Sequence, residues 1–291
     1  MTDTWTNIGP FLTNEFMLDY DYIDNLADTP KLYVNGASEH YGDGLLEQLA
    51  NELHPHHAVL SHCPLANCIF YPYWYFWAKK NWPKIYNSNI ATDKKTHKVS
   101  CLNNSARPHR ILNWLENKDT PGIFWSMHND PALLEHDMEL TDQEWQDWDS
   151  LRMKLPARTH DNRGVRVDAD ILHEAYTDSY INFVTESTTC DKIFITEKTW
   201  KPIASGQLFL ILGNAGIIKH LRDLGIDCFD DIIDHSYDSV EDPRERTFKV
   251  KESLDKLLKQ DLYNINLLTK QRRTKNAELF WSNDLYYINE L

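Results

Sequence analysis

The chain contains no run approaching about 18 uninterrupted apolar residues, the length that a membrane-spanning helix needs. Its first residues, MTDTWTNIGPF, have neither a basic head nor an apolar core, so no signal peptide is expected. It has no CxxC pair. The five cysteines, Cys63, Cys68, Cys101, Cys190 and Cys228, are scattered and odd in number, which argues for reduced thiols rather than a disulfide framework. Positive charge is in deficit: 30 Lys and Arg face 44 Asp and Glu, a formal net charge of −14. A chain this acidic does not bind nucleic acid through its overall field. Neither an internal repeat nor a low-complexity linker is present. These absences predict a cytoplasmic protein (in the host cytoplasm if the chain is viral) with no membrane partner.

What is present is ordinary globular material, 42% hydrophobic and 25% charged, in 291 residues. That length suits two modest domains or one large one. Two basic clusters offer a local groove or a solvated face: Lys79, Lys80, Lys84, Lys94, Lys95 and Lys98, and then Lys270, Arg272, Arg273 and Lys275. Residues 31–35 (KLYVN) read as a strand entering a Gly-rich turn, and residues 42–53 as a helix with apolar positions at 45, 46, 49 and 53. Residues 58–61 suggest another strand. The aromatic block 69–77 (IFYPYWYFW) is broken by Pro72, which argues against a central strand. It reads as a pocket floor, a helix start or buried core. A polar stretch, 87–98, places a domain boundary near residue 97.

Beyond it, residues 98–102 read as a strand and 108–117 as a helix with Pro108 in its first turn. Residues 122–126 form the next strand. Within an insertion at about 130–175, residues 141–154 suggest an amphipathic helix opened by a Thr141-x-x-Glu144 capping box. Residues 169–176 read as a short helix. Later helices are expected at 216–224, closed by Gly225, and at 244–260 and 263–290. The alternation predicts an α/β fold of two Rossmann-like domains with a cleft between them, the N-terminal one small. The expected divisions are 1–97, 98–270 and a C-terminal helix at 271–291.

The most telling stretch spans residues 180–213, YINFVTESTTCDKIFITEKTWKPIASGQLFLILG. An apolar run ends on Glu186, a second ends on Thr196, Glu197 and Lys198, and a third closes on Gly213. Charged residues crowd the strand ends and the helix start, where open α/β sheets bind ligands. A helix N-terminus beside a lysine suits phosphate. Upstream, NNSARPHR (103–110) places Arg107, His109 and Arg110 at another strand-to-helix turn, where guanidinium groups can fork onto phosphate oxygens. The loop Gly213-Asn214-Ala215-Gly216 allows close backbone approach.

These segments resemble the nucleotide-sugar-binding half of α-1,3-fucosyltransferases, inverting enzymes of the GT-B type. The resemblance rests on Phe183-Val184-Thr185-Glu186-Ser187, Phe194-Ile195-Thr196-Glu197-Lys198, Gly213, and the turn ending in Arg110. The chain is also similar to glycosyltransferase-like proteins of tailed phages, through LNNSARPHR and the run GxxxxLRxLGIDxFDDIIDxSYD. It covers roughly residues 98–250. It implies that Arg110 and Lys198 bind a diphosphate, that Glu197 binds ribose or the sugar, and that Glu186 lines the donor site. The family's Asn is Ser187 here and its Tyr is Phe194, so the resemblance implies a nucleotide-diphosphate sugar without specifying GDP-fucose.

An inverting transfer needs a base. The N-terminal domain offers Glu39, the first choice because it follows a strand by a flexible turn, with His40 and Asp43 in the same turn and His62, after a second strand, as another option. No metal is expected. The spacing of His54, His56, His57, His62, Cys63 and Cys68 matches no usual zinc pattern. Asp168-Ala169-Asp170 precedes a helix and reads as a cap, and His235-Ser236-Tyr237-Asp238 as a capped loop. The expected function is transfer of a sugar to a glycan or other hydroxylated acceptor. The alternatives are glycosylation of a hydroxymethylated base in phage DNA, and a non-catalytic nucleotide- or sugar-binding protein.

Overall fold

A computed structural model describes residues 4–7, 18, 23, 26, 32–37, 43–53, 57–82, 94–103, 105–127, 138–151, 178–189, 192–282 and 285–286. The chain divides into two compact units. One holds Met1–Trp77 together with Asp191–Ile195, and the other holds Ala78–Cys190 and Thr196–Leu291. The expected helix at 169–176 lies outside the described residues.

The N-terminal unit carries a parallel sheet in the order β1 (Thr4–Asn7), β2 (Leu32–Asn35), β3 (Ala58–Ser61), β4 (Cys68–Phe70). Helix α1 (Asp43–Leu53) links β2 to β3 and buries Leu46, Leu49, Ala50 and Leu53 against Val34 and Val59. This is the face drawn by its apolar spacing. Gly36 lets the helix seat close to the sheet: a Cβ there would stand 2.5 Å from Leu46 Cδ2 and 2.9 Å from the Leu60 carbonyl oxygen. The aromatic block splits at Pro72. Ile69 and Phe70 end β4, and helix α2 (Tyr73–Asn81) starts directly after the proline. Strand β1 was not foreseen, because four residues, TWTN, are too short to show a period.

The second unit carries β5 (His97–Leu102), β6 (Ile123–Ser126), β7 (Ser179–Thr185) and β8 (Leu208–Leu212), all parallel, in the order β6-β5-β7-β8. Helix α3 (Pro108–Asn117) connects β5 to β6, and α5 (Glu197–Ala204) connects β7 to β8. Strand β8 is LFLIL and wholly buried, the unbroken apolar run expected of a parallel strand covered on both faces. Between β6 and β7 in sequence lies α4 (Asp142–Leu151). Its capping box forms as read: the Glu144 N–H donates to Thr141 Oγ1 at 3.3 Å, and the Thr141 N–H to Glu144 Oε2 at 2.7 Å.

After β8 come α6 (Ile217–Asp223), a 3-10 turn at Ser236–Ser239, α7 (Pro243–Leu257), α8 (Leu262–Leu268) and α9 (Lys270–Trp281). Gly225 closes α6 at φ 84°, the left-handed value that favours glycine. The single helix expected over 263–290 is instead two helices that meet at Thr269. Its hydroxyl donates to the Ile265 carbonyl at 2.7 Å and accepts from Arg273 Nε at 3.2 Å. Buried Arg273 also donates to the carbonyls of Asn266 (2.7 Å) and Gly206 (2.8 Å), so a tertiary clamp sets the break. Helix α9 packs on α5, and Trp281 Nε1 donates to the Ala204 carbonyl at 3.0 Å. Among the described residues no helix is long and apolar enough to cross a membrane.

Candidate anion-binding site

In the second sheet the chain runs from β5 out to β6, then returns to place β7 on the other side of β5. That reversal makes β5/β7 the switch point, and ligands of open parallel sheets bind beyond the carboxyl ends of such strands. Here those ends are Asn103 and residues 105–107 after β5 and residues 186–189 after β7.

Glu186 is 0% exposed. Its Oε1 accepts from the Thr196 N–H (3.1 Å) and Thr199 Oγ1 (2.6 Å), and its Oε2 from Thr196 Oγ1 (2.6 Å) and the Ser187 N–H (3.2 Å). A carboxylate has about four lone-pair sites, and all are filled. Glu186 therefore ties the first turn of α5 to the end of β7, and its carboxylate has nothing left for a ligand. Thr196 is the N-cap residue of α5, its hydroxyl accepting from the Lys198 N–H at 3.3 Å.

Cationic side chains hold the other side of the same loop. Arg110, 1% exposed, donates from Nη1 to the Ser105 carbonyl and hydroxyl (3.2 and 3.1 Å) and from Nη2 to the carbonyls of Thr185 and Glu186 (3.2 and 2.9 Å). Its Nε is buried without a partner. Burial, with Arg107 adding repulsion, pulls its pKa down to about 10, so it stays charged at neutral pH. His109 Nε2 donates to the Glu186 carbonyl at 2.9 Å. Arg107 donates to the Ser187 carbonyl, and Arg246, from α7, to the Thr189 carbonyl. The carbonyls of residues 185, 186, 187 and 189 are thus all taken by arginine or histidine.

Lys198 Nζ, half-buried, donates to Glu197 Oε1 (2.9 Å), Ser187 Oγ (3.2 Å) and Thr196 Oγ1 (3.2 Å). Burial raises the pKa of Glu197, but the nearby Lys198 and Lys201 charges and hydrogen bonding outweigh it, leaving Glu197 below the ordinary carboxylate range. Arg107 and Lys198 therefore hold Ser187, just past the end of β7, and Arg110 holds the adjoining Thr185 and Glu186 carbonyls. This arrangement can hold an anion.

The loop after β8 differs from expectation. Asn214 is buried, and the start of α6 is already occupied by a carboxylate of the chain itself. Asp238 accepts from the N–H groups of Ile218 (2.8 Å) and Lys219 (2.9 Å), and its carbonyl from Gly216 (2.7 Å). Residues 213–216 thus fold onto the turn at 235–238, which has no side-chain cap of its own and instead caps α6 through Asp238.

Of the N-terminal candidates, Glu39 and His40 lie outside the described residues, and Asp43 opens α1. His62 directly follows β3, with its ring edge-on to Phe194 at 4.7 Å. In the second basic cluster, Arg272 is paired with Asp227 and Asp231, and Arg273 is buried on the carbonyls of Gly206 and Asn266. Sequence reasoning missed Arg246 and Lys201. The first lies 57 residues from the carbonyl it holds, and the second sits mid-helix, where lysine ordinarily signals a solvated face. No protein-family profile matches the chain and no curated protein matches it significantly, so this site is read from its own geometry.

Proposed function

We propose that the chain is a nucleotide-sugar-dependent glycosyltransferase of GT-B organisation, acting with inversion and without a metal on a hydroxylated acceptor. The observation that carries this reading is the convergence of Arg107 and Lys198 on Ser187, with Arg110 on the adjoining Glu186 carbonyl, at the switch point of a parallel sheet and the start of a helix. A diphosphate is the anion that best suits several cations beside a helix start. Arg107 and Lys198, both half-buried, contact its oxygens, and the sealed Arg110 adds positive charge from behind. Glu197 faces ribose or sugar hydroxyls, whereas Glu186 and Thr196 position the helix.

In the transfer, the acceptor oxygen forms a bond to the anomeric carbon as the bond from that carbon to the phosphate oxygen breaks. A base takes the acceptor proton, and the nucleoside diphosphate leaves with the electron pair, its charge stabilised by the cations. Glu39, Asp43 and His62 of the N-terminal unit are the base candidates.

A thermal-shift screen of nucleoside diphosphates and nucleotide sugars tests the reading. A true ligand raises the melting temperature by mass action. Lys198→Ala and Arg107→Ala abolish that rise, and slow sugar release without acceptor identifies the donor. If no nucleotide stabilises the protein, the reading fails. Binding with no turnover of any donor assigns it instead as a nucleotide-binding protein.

A further inference from the structure

Just past the carboxyl ends of β5 and β7, two serines stand in the same relation to a cation. Ser105 Oγ accepts from Arg110 Nη1 at 3.1 Å, and Ser187 Oγ accepts from Lys198 Nζ at 3.2 Å. Both serines are half-buried. A hydroxyl has one O–H to give besides the lone pairs with which it accepts. Among the described residues neither serine gives that O–H to another group of the chain. The cations behind them have placed their donors already. The three N–H groups of Lys198 rest on Glu197, Ser187 and Thr196. The four terminal N–H groups of Arg110 rest on the Ser105 carbonyl and hydroxyl and on the carbonyls of Thr185 and Glu186. Arg110 also ties the two serines together, since the Glu186 carbonyl that it holds at 2.9 Å belongs to the peptide leading into Ser187. The backbone of Ser187 is fixed as well: its N–H donates to Glu186 Oε2 at 3.2 Å and its carbonyl accepts from Arg107.

We propose that Ser105 and Ser187 donate the directed hydrogen bonds to the phosphate oxygens of the ligand, each passing forward the charge of the cation behind it. This rests on the proposed diphosphate role of the site. A hydroxyl that accepts from a cation is a stronger donor, because hydrogen bonds in a chain polarise one another. Its bond to an anionic oxygen is charge-assisted. Arg110, which is 1% exposed, thus acts on the ligand through Ser105. Lys198 lends its charge and acts through Ser187, and the three bonds that hold it stay intact. No proton leaves either serine.

The test is calorimetric titration of inorganic pyrophosphate, UDP and GDP into wild type, Ser105→Ala, Ser187→Ala, Ser105→Thr and Ser187→Thr. Each alanine variant is expected to bind pyrophosphate at least about tenfold more weakly, the loss of one hydrogen bond to a charged group. Each threonine variant keeps the hydroxyl and binds within about threefold of wild type, a rescue that a packing role does not produce. Unchanged or tighter pyrophosphate binding in either alanine variant overturns the inference, as do threonine variants that lose as much as alanine. Both results leave the diphosphate site standing, because Arg107→Ala and Lys198→Ala report on it separately. Should an alanine variant not fold, cysteine replaces it, keeping the size but donating only weakly, with the same loss expected. Failure of the wild type to bind any of the three probes removes both the inference and the proposed function.

Discussion

At the scale of single residues, the proposed site separates groups that build it from groups that the proposal assigns to a ligand. Glu186 belongs to the first kind. In Glu186→Gln, an acceptor oxygen becomes an NH₂ that faces donors from Thr196, Thr199 or Ser187. The expected loss is about 2–3 kcal/mol of stability, read from urea unfolding. Arg110→Met leaves the Thr185 and Glu186 carbonyls short of donors and costs about 1–3 kcal/mol. Lys198 belongs to the second kind. Its ion pair with Glu197 is partly exposed, so Lys198→Ala costs less than about 1 kcal/mol while removing nucleotide binding. Equal stability losses in Arg110→Met and Lys198→Ala would erase this division. The sequence shows both residues at helix starts, but not that Arg110 turns inward under the β7 loop. Burial of a first-turn arginine depends on which strand lies beside it, and that is set by β7 pairing alongside β5.

At the scale of elements, strands β3, β5, β7 and β8 were legible because parallel strands covered on both faces carry apolar stretches bounded by turn residues. Helix α3 was legible from Pro108, α4 from its capping box, and α6 from Gly225. The break at Thr269 was not, because it is made by Arg273 reaching the Gly206 carbonyl, far away in sequence. Caps give the sharpest tests here. Asp238 serves two N–H groups of α6, so Asp238→Ala is expected to cost about 1–2 kcal/mol, and Thr141→Ala at α4 about 1 kcal/mol. Unfolding midpoints that do not move would show these caps to be idle. At Gly36, alanine must push against the Leu60 carbonyl oxygen, a backbone atom, so Gly36→Ala costs about 1–3 kcal/mol. The same change at Gly213, where the nearest atom is the flexible Ile217 Cδ1 at 3.0 Å, costs less.

At the scale of the whole molecule, net acidity conceals an acid-labile network in the second unit. The hydrogen-bonded guanidinium of Arg272 holds Asp227 and Asp231 below the ordinary carboxylate range, and Lys256 brings Asp234 to about 2. Carboxylates depressed in the folded state add stability that is fully present above their unfolded value, about 3.9, and is lost as pH falls through the folded value. Stability should therefore decline between about pH 4 and pH 2. Arg272→Gln should flatten part of that decline in urea midpoints measured across the window. A slope identical to wild type would contradict the assignment.

The net charge of −14 also sharpens what is distinctive about the switch point, an electropositive site in an acidic chain. The claim that this site holds a diphosphate is tested most directly by calorimetric titration of nucleoside diphosphates into wild type, Arg107→Ala and Lys198→Ala, with Thr141→Ala as a stability control. Saturable binding by wild type and Thr141→Ala, lost in both site variants, is the predicted result. Binding that survives in Lys198→Ala and Arg107→Ala, or is absent from wild type for every nucleotide, would contradict it.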